Sequence, residues 1–190
     1  MKKRRLKPFR PVYPSPAALV TSVDEEGKAN IITLGEVFNI SIREPVIVGI
    51  AIRPATYSHG LISQCMEYAV NFPTVSILEK VDGCGSISGR GGVDKFSRFG
   101  LTALPAEEIK PPLIAECPLN IECRVIGIQR IGDHDLFLGD VVAMHVDEDK
   151  VDEEGKIFTE RMDGFAYVGR DYYSFGKKIG VHGFSADRIA

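Results

Sequence analysis

Ala17 to Val23 is a run of small and β-branched residues that reads as a strand. Asp24 to Lys28, with Gly27, marks a turn, and Ala29 to Thr33 returns as the second arm of a hairpin. Glu36 to Ile40 continues as another short strand. Pro45 opens a buried strand, Val46 to Ile52, nearly continuous in β-branched residues. A helix follows. Thr56 or Ser58 can cap it, because a hydroxyl satisfies the first free N–H groups, and Leu61, Ile62, Cys65 and Met66 fall on one helical face. Tyr68 to Phe72 reads as a strand. Thr74 caps a second short helix that Gly83 stops. A loop runs from Gly83 to Gly92, and Val93 to Phe99 forms a short helix ended by Gly100.

The second half is stranded. Leu119, Ile121, Cys123 and Val125 alternate with Asn120, Glu122 and Arg124, which predicts one face in and one out. Gly132-Asp133 marks a turn. Leu136, Leu138, Val142, Met144 and Val146 then share one parity in a long return strand, and Asp147 to Lys156 is a charged loop. Strands that do not alternate with long helices point to a mostly β, antiparallel barrel with a few short helices, and exclude a Rossmann sheet.

Composition sets the class. The chain has 190 residues, 44% hydrophobic and 26% charged, which suits one globular domain. Net charge is −3, but Lys2, Lys3, Arg4, Arg5, Lys7 and Arg10 supply six of the 23 basic residues. Without those six, residues 11–190 stand at −9. The expectation is a basic arm over 1–10 and a single acidic domain over 11–190. The balance argues against a duplex-DNA partner. The arm reads as a solvated tail, with an RNA or membrane contact as the competing reading. Pro8, Phe9, Arg10 and Pro11 follow the basic start where a secretory signal would need an apolar run. The longest uncharged apolar run, Pro45 to Ile52, is too short to span a bilayer. These features predict a cytoplasmic protein with no nucleic-acid or membrane partner.

The candidate chemistry starts from absences. Cys65, Cys84, Cys117 and Cys123 form no C-x-x-C, and Cys123 reads as a buried strand residue. His59, His134, His145 and His182 are scattered, and no nucleophile elbow or P-loop occurs. No metal site is expected, and a bound cofactor is the remaining source of chemistry. Three constellations stand out. At Arg53-Pro54-Ala55-Thr56-Tyr57-Ser58-His59 an Arg, hydroxyls and open backbone N–H groups converge, as a phosphate monoester requires. A capped helix beside a surface Arg explains the same spacing equally well. From Cys84 to Lys95, five glycines starting at Gly83 let backbone approach a flat ligand, with Ser88, Arg90 and Lys95 as polar groups. Surface loops also use glycine freely. In Gly132-Asp133-His134 the His can donate to a ligand carbonyl or stand as a solvated turn residue.

Taken in order, these segments resemble the flavin reductase-like family of FMN-binding split barrels, especially its flavoredoxin branch. The resemblance covers about residues 11–185. It rests on Asn30-Ile31-Ile32-Thr33, Ile52-Arg53-Pro54-Ala55-Thr56-Tyr57-Ser58 and Ala69-Val70-Asn71-Phe72-Pro73. It continues through Cys84-Gly85 with Ser88-Gly89-Arg90, Asp94-Lys95-Phe96, Gly132-Asp133-His134, Gly139-Asp140-Val141 and Arg170-Asp171-Tyr172-Tyr173. The resemblance implies a six-stranded Greek-key split barrel that forms a homodimer and holds one FMN per subunit near the interface. It implies cofactor contacts from Asn30, Thr33, Thr56, Lys95, His134 and Phe165 toward the ring. Arg53, Tyr57, Ser58, Ser88 and Gly89 would face the phosphate and its neighbourhood. Relatives often carry Trp near the position of Glu36, and this chain has none. An acid facing the ring would disfavour its reduced, anionic form.

The expected activity is that of an NAD(P)H-dependent flavin reductase, passing electrons through FMN to free flavin, iron or a protein acceptor. No acid–base residue is required for hydride transfer, only orientation and a dry stacking face. A flavoredoxin-like electron carrier, reduced by a partner protein, is the first alternative. A non-enzymatic barrel that binds through the basic arm is the second.

Overall fold

The structure is a computed structural model that describes residues 1–10 and 12–185. Pro11 and residues 186–190, the two ends of the expected domain, lie outside the described residues. Among the described residues, twelve strands and three α-helices follow in chain order. They are β1 (Ser15–Pro16), β2 (Ala18–Val23), β3 (Ala29–Leu34), β4 (Val37–Ser41), β5 (Ile47–Ile52), α1 (Tyr57–Cys65), β6 (Glu67–Phe72), α2 (Leu78–Ser86) and α3 (Lys95–Phe99). The remainder are β7 (Ala103–Leu104), β8 (Leu113–Ile114), β9 (Leu119–Ile131), β10 (His134–Val146), β11 (Phe165–Val168) and β12 (Asp171–Ser174).

Seven strands form one antiparallel sheet in the order β3-β2-β6-β9-β10-β5-β4. This is the expected mostly β split barrel, with seven strands in its main sheet where the resemblance implies six, and its sheets do not close. A three-stranded sheet, β1-β11-β12, and the short β7-β8 pair lie outside it.

β2 explains itself by burial on both faces. Ala18 and Val20 enter the barrel core with Ile50, Ile62, Tyr68, Cys123 and Phe137. Leu19 enters a second core with Ile31, Val81, Cys84, Phe96 and Phe165. A strand that must satisfy two cores has no solvent-facing side, hence the apolar Ala18–Val20; Thr21 and Ser22, which follow, are buried as well, and Thr21 Oγ1 donates to the Pro112 carbonyl at 2.6 Å. The second core carries α2 and α3 on β3, and so builds the wall of the site described below.

Several sequence expectations are corrected. Gly83 does not stop α2, which runs through it to Ser86. A Cβ at Gly83 would strike the Phe99 ring, so the glycine serves the close approach of α3 rather than a helix end. Cys65 is only partly buried and Met66 is an exposed left-handed C-cap, so Leu61 and Ile62 alone form the buried face of those four. Thr74 precedes a 3-10 turn (Val75–Ile77) and makes no capping bond, pairing with the Ser76 hydroxyl instead. The third helix starts at Lys95, capped by Asp94.

The return strand also departs from its parity. Phe137 and Gly139 are buried, whereas Leu136 packs outward with Ile40 over Gly49. Register shifts at Leu138/Gly139 and Val141/Ala143 break the alternation further along. On β9 the polar face is not all out. Glu122 is fully buried and Asn120 nearly so, roofed by the β7–β8 segment. Glu122 accepts from the N–H groups of Glu107 and Glu108 at 2.9 and 2.8 Å and pairs with His145 at 2.6 Å. Burial alone would raise its pKa, but these bonds outweigh it and hold the carboxyl below its usual range.

Candidate functional site

β5 ends at Ile52, and a tight turn delivers the chain into α1. Thr56 N–H and Thr56 Oγ1 both donate to the Arg53 carbonyl at 3.0 Å. Thr56 Oγ1 in turn accepts from His59 N–H at 3.3 Å, capping the helix. The N–H groups of Tyr57 and Ser58, in the first turn, have no intrahelical partner. Facing this turn across β3 is the C-terminal end of α2 and the segment that follows it. Together they bound a cleft of about 300 Å³.

Seven of the eleven residues expected at the cofactor line this cleft: Asn30, Thr56, Tyr57, Ser58, Ser88, Gly89 and Lys95. Asn30 is buried at its floor, where its Nδ2 donates to Ser58 Oγ at 2.7 Å. Its Oδ1 is buried without a partner. Gly89 lies directly over that oxygen, and a Cβ there would collide with it. Lys95 is 3% exposed. Its Nζ donates to the Ile31 and Cys84 carbonyls at 2.6 and 2.7 Å. An ammonium has three N–H groups, so one remains. Burial lowers its pKa below the usual lysine value, and the Cys84 side chain partly offsets this. The Cys84 thiol is buried in the second core and pushed up to about 11, so it packs as a neutral thiol. Among the described residues no carboxylate lines the cleft, whereas Arg90 joins Lys95 as a second cation.

Four expected residues lie elsewhere. Thr33 Oγ1 donates to the Val81 carbonyl at 2.5 Å and faces the next groove. Arg53 is two-thirds exposed, with its Nε 4.0 Å from Asp133 Oδ2. His134 Nδ1 bonds Asp133 at 2.8 Å, and the ring faces Phe38, Ile131 and Leu136 on the outer surface of the sheet. Phe165 is a core residue, edge-on to Tyr172 at 5.7 Å. Its aromatic character met a packing need of the second core. Arg90, whose charge marked it in the glycine-rich segment, also lines the cleft, as does Ile87, which only its place in that segment signalled. Glu36 is engaged by Arg10 at 2.7 Å.

Residues 9–176 match the model of the flavin reductase like domain. The chain belongs to the flavin reductase-like family. A protein of Archaeoglobus fulgidus is 35% identical over 145 residues, covering 76% of this chain and 78% of that one. An NADH:riboflavin 5'-phosphate oxidoreductase of Streptomyces pristinaespiralis is 29% identical over 126 residues, covering 66% and 67%. Among solved structures, the flavoredoxin from Methanosarcina acetivorans superposes with TM-score 0.89 at 27% identity over the full length of both chains. Within this flavin reductase-like fold, the cleft between α1, β3 and α2–α3 is the concavity that gathers most of the expected residues. No helix of the described residues is long and apolar enough to cross a membrane.

Proposed function

We propose that the chain is an FMN-binding oxidoreductase that takes hydride from NADH or NADPH and passes electrons to free flavin, iron or a protein acceptor. One observation carries the reading. The floor of the cleft presents a buried ammonium with no carboxylate partner beside a buried, unpaired amide oxygen. Such a pair is costly to bury unless a ligand completes it. A flavin ring has both an imide N–H for Asn30 Oδ1 and electron-rich carbonyl oxygens for Lys95. FMN, when bound, supplies the two-electron redox chemistry.

The chain's own residues bind and orient. The open N–H groups of Tyr57 and Ser58, at the positive end of α1, suit the phosphate. Arg90 and Arg53 add positive charge near the rim, and Arg53, exposed and beside Asp133, contributes less than a buried guanidinium would. Gly85 and Gly89 keep side chains off the ring plane, and Ile32 and Ile87 exclude water from it. Lys95 is placed to favour negative charge on the bound ring.

The same reading includes a homodimer. Phe38, Ile40 and Ile131 are 44–53% exposed on the outer face of β4, β5, β9 and β10, with Leu136 between them. A contiguous apolar surface of this kind suits burial against a second copy. His134 belongs to that face.

A flavoredoxin-like carrier is the second reading, and the full-length likeness to a flavoredoxin favours it. Anaerobic absorbance of the FMN-loaded protein separates them. Bleaching by NADH or NADPH supports the reductase. A spectrum that stays oxidised with both moves the function to the carrier, and failure to take up FMN overturns both.

A further inference from the structure

A second concavity, of about 380 Å³, shares a wall with the cleft. Gly85 and Ser86 line both. At Gly85 that wall is backbone alone, because a Cβ there would come within 3.1 Å of Thr33 Cβ. The opposite side is the β11–β12 hairpin. Its Tyr167 and Tyr172 rings lie 4.7 Å apart at 37°. Tyr172 donates to Asp82 Oδ1 at 2.8 Å, so in the 3.0 Å pair of phenols Tyr167 is the donor.

The charges of this groove are unevenly spent. Glu36 is neutralised by Arg10, whose close approach Gly35 permits: a Cβ at Gly35 would lie 2.7 Å from Arg10 Nη2. Asp82 is held by Tyr172. Among the described residues, Arg170 has no salt bridge or hydrogen bond, and neither has the Ser86 hydroxyl. The groove therefore offers an aromatic flank and free donors, while its acids are already engaged. Donors beside an aromatic face match an uncharged planar ring that carries carbonyl oxygens.

We propose that this groove is the binding site for a quinone-type electron acceptor, held against the Tyr167–Tyr172 pair with a carbonyl oxygen on Arg170. The assignment rests on the flavin reading of the neighbouring cleft. The overall exchange balances. NAD(P)H and one solvent proton convert the quinone to its hydroquinone and leave NAD(P)+. Two electrons leave the nicotinamide as hydride and reach the quinone across the Gly85 wall, and two protons end on its two oxygens.

The test uses the FMN-saturated full chain and duroquinone, whose fully substituted ring cannot alkylate Cys65. Isothermal titration calorimetry should show one site, weakened about fivefold to tenfold in Arg170→Ala, with the visible flavin spectrum unchanged. In turnover, Arg170→Ala should raise KM for duroquinone and leave the rate of nicotinamide-driven bleaching alone. Absence of binding, or equal affinity in Arg170→Ala, overturns the site. Failure of the flavin reading shows separately, as no flavin spectrum before quinone is added. In that event the same titration on the flavin-free chain still decides whether the groove binds the ring, because Arg170 lies outside the cleft.

Discussion

The Asn30 amide donates to the Ser58 hydroxyl at 2.7 Å and leaves its own oxygen buried and unpaired beneath Gly89. One residue of the cleft lining thus joins β3 to the first turn of α1 and holds an unpaired acceptor under the backbone of the glycine-rich segment. Asn30→Ala should weaken FMN about tenfold, which corresponds to roughly 1.4 kcal/mol, the scale of one lost hydrogen bond in a desolvated site. Equilibrium titration by flavin fluorescence checks this. An unchanged affinity would remove Asn30 from the ring.

Lys95 presents a buried positive charge to the same cleft. Lys95→Met should make the midpoint potential of bound flavin more negative, because reduction adds negative charge to the ring. A loss of about 1–2 kcal/mol corresponds to roughly 20–40 mV for a two-electron couple. Spectroelectrochemistry reads the shift, and a potential equal to wild type would place the ammonium away from the ring.

Gly83 tests the α2–α3 wall. Gly to Ala in a helix interior ordinarily stabilises by up to about 1 kcal/mol. Here the added Cβ meets the Phe99 ring, so the sign reverses. Gly83→Ala should cost about 1–3 kcal/mol of stability, the range of core overpacking. Denaturant unfolding of the two proteins measures it.

That position also shows what the sequence conceals. A glycine that opens a glycine-rich segment looks like a helix stop, and only the position of Phe99, sixteen residues on, reveals it as a packing site. The hairpins of β2–β3 and β9–β10 were legible because alternation and turn residues are local properties. Whether Leu136 faces in was not, because the outer face at Ile40 and Phe38 is apolar too and period 2 has no sign. Glu122 and Asn120 read as solvent-facing until the β7–β8 segment, which precedes β9 in the chain and folds back over it, roofs them. That Asn30, Thr56–Ser58 and Lys95 could be grouped as candidates follows from hydroxyl, amide and lysine types near glycines being chemically selective, and the fold brings them to one cleft. Phe165 was not separable from a core aromatic by type alone.

Glu122 sets a pH dependence. Its carboxyl is held below the usual range in the folded state, so its contribution is complete above about 4.5 and is lost as pH falls through the depressed folded value. Glu122→Gln should lower stability at neutral pH by about 1–3 kcal/mol, because two backbone N–H groups lose a charged acceptor. The gap between the two proteins should narrow below pH 4.5. Denaturant titrations at pH 7 and pH 3.5 check both parts.

The central claim is that the cleft between α1, β3 and α2–α3 holds the flavin, and Gly89 tests it most directly. FMN should titrate the wild-type chain to one equivalent with quenching of its fluorescence. Gly89→Ala, whose Cβ would collide with Asn30 Oδ1 and lie 3.1 Å from Tyr57 Cδ1, should bind at least tenfold more weakly at a temperature where denaturant titration shows the variant, itself destabilised by the clash, to be fully folded. A wild-type chain that takes up no FMN, or a Gly89→Ala chain that binds it equally well, would contradict the account.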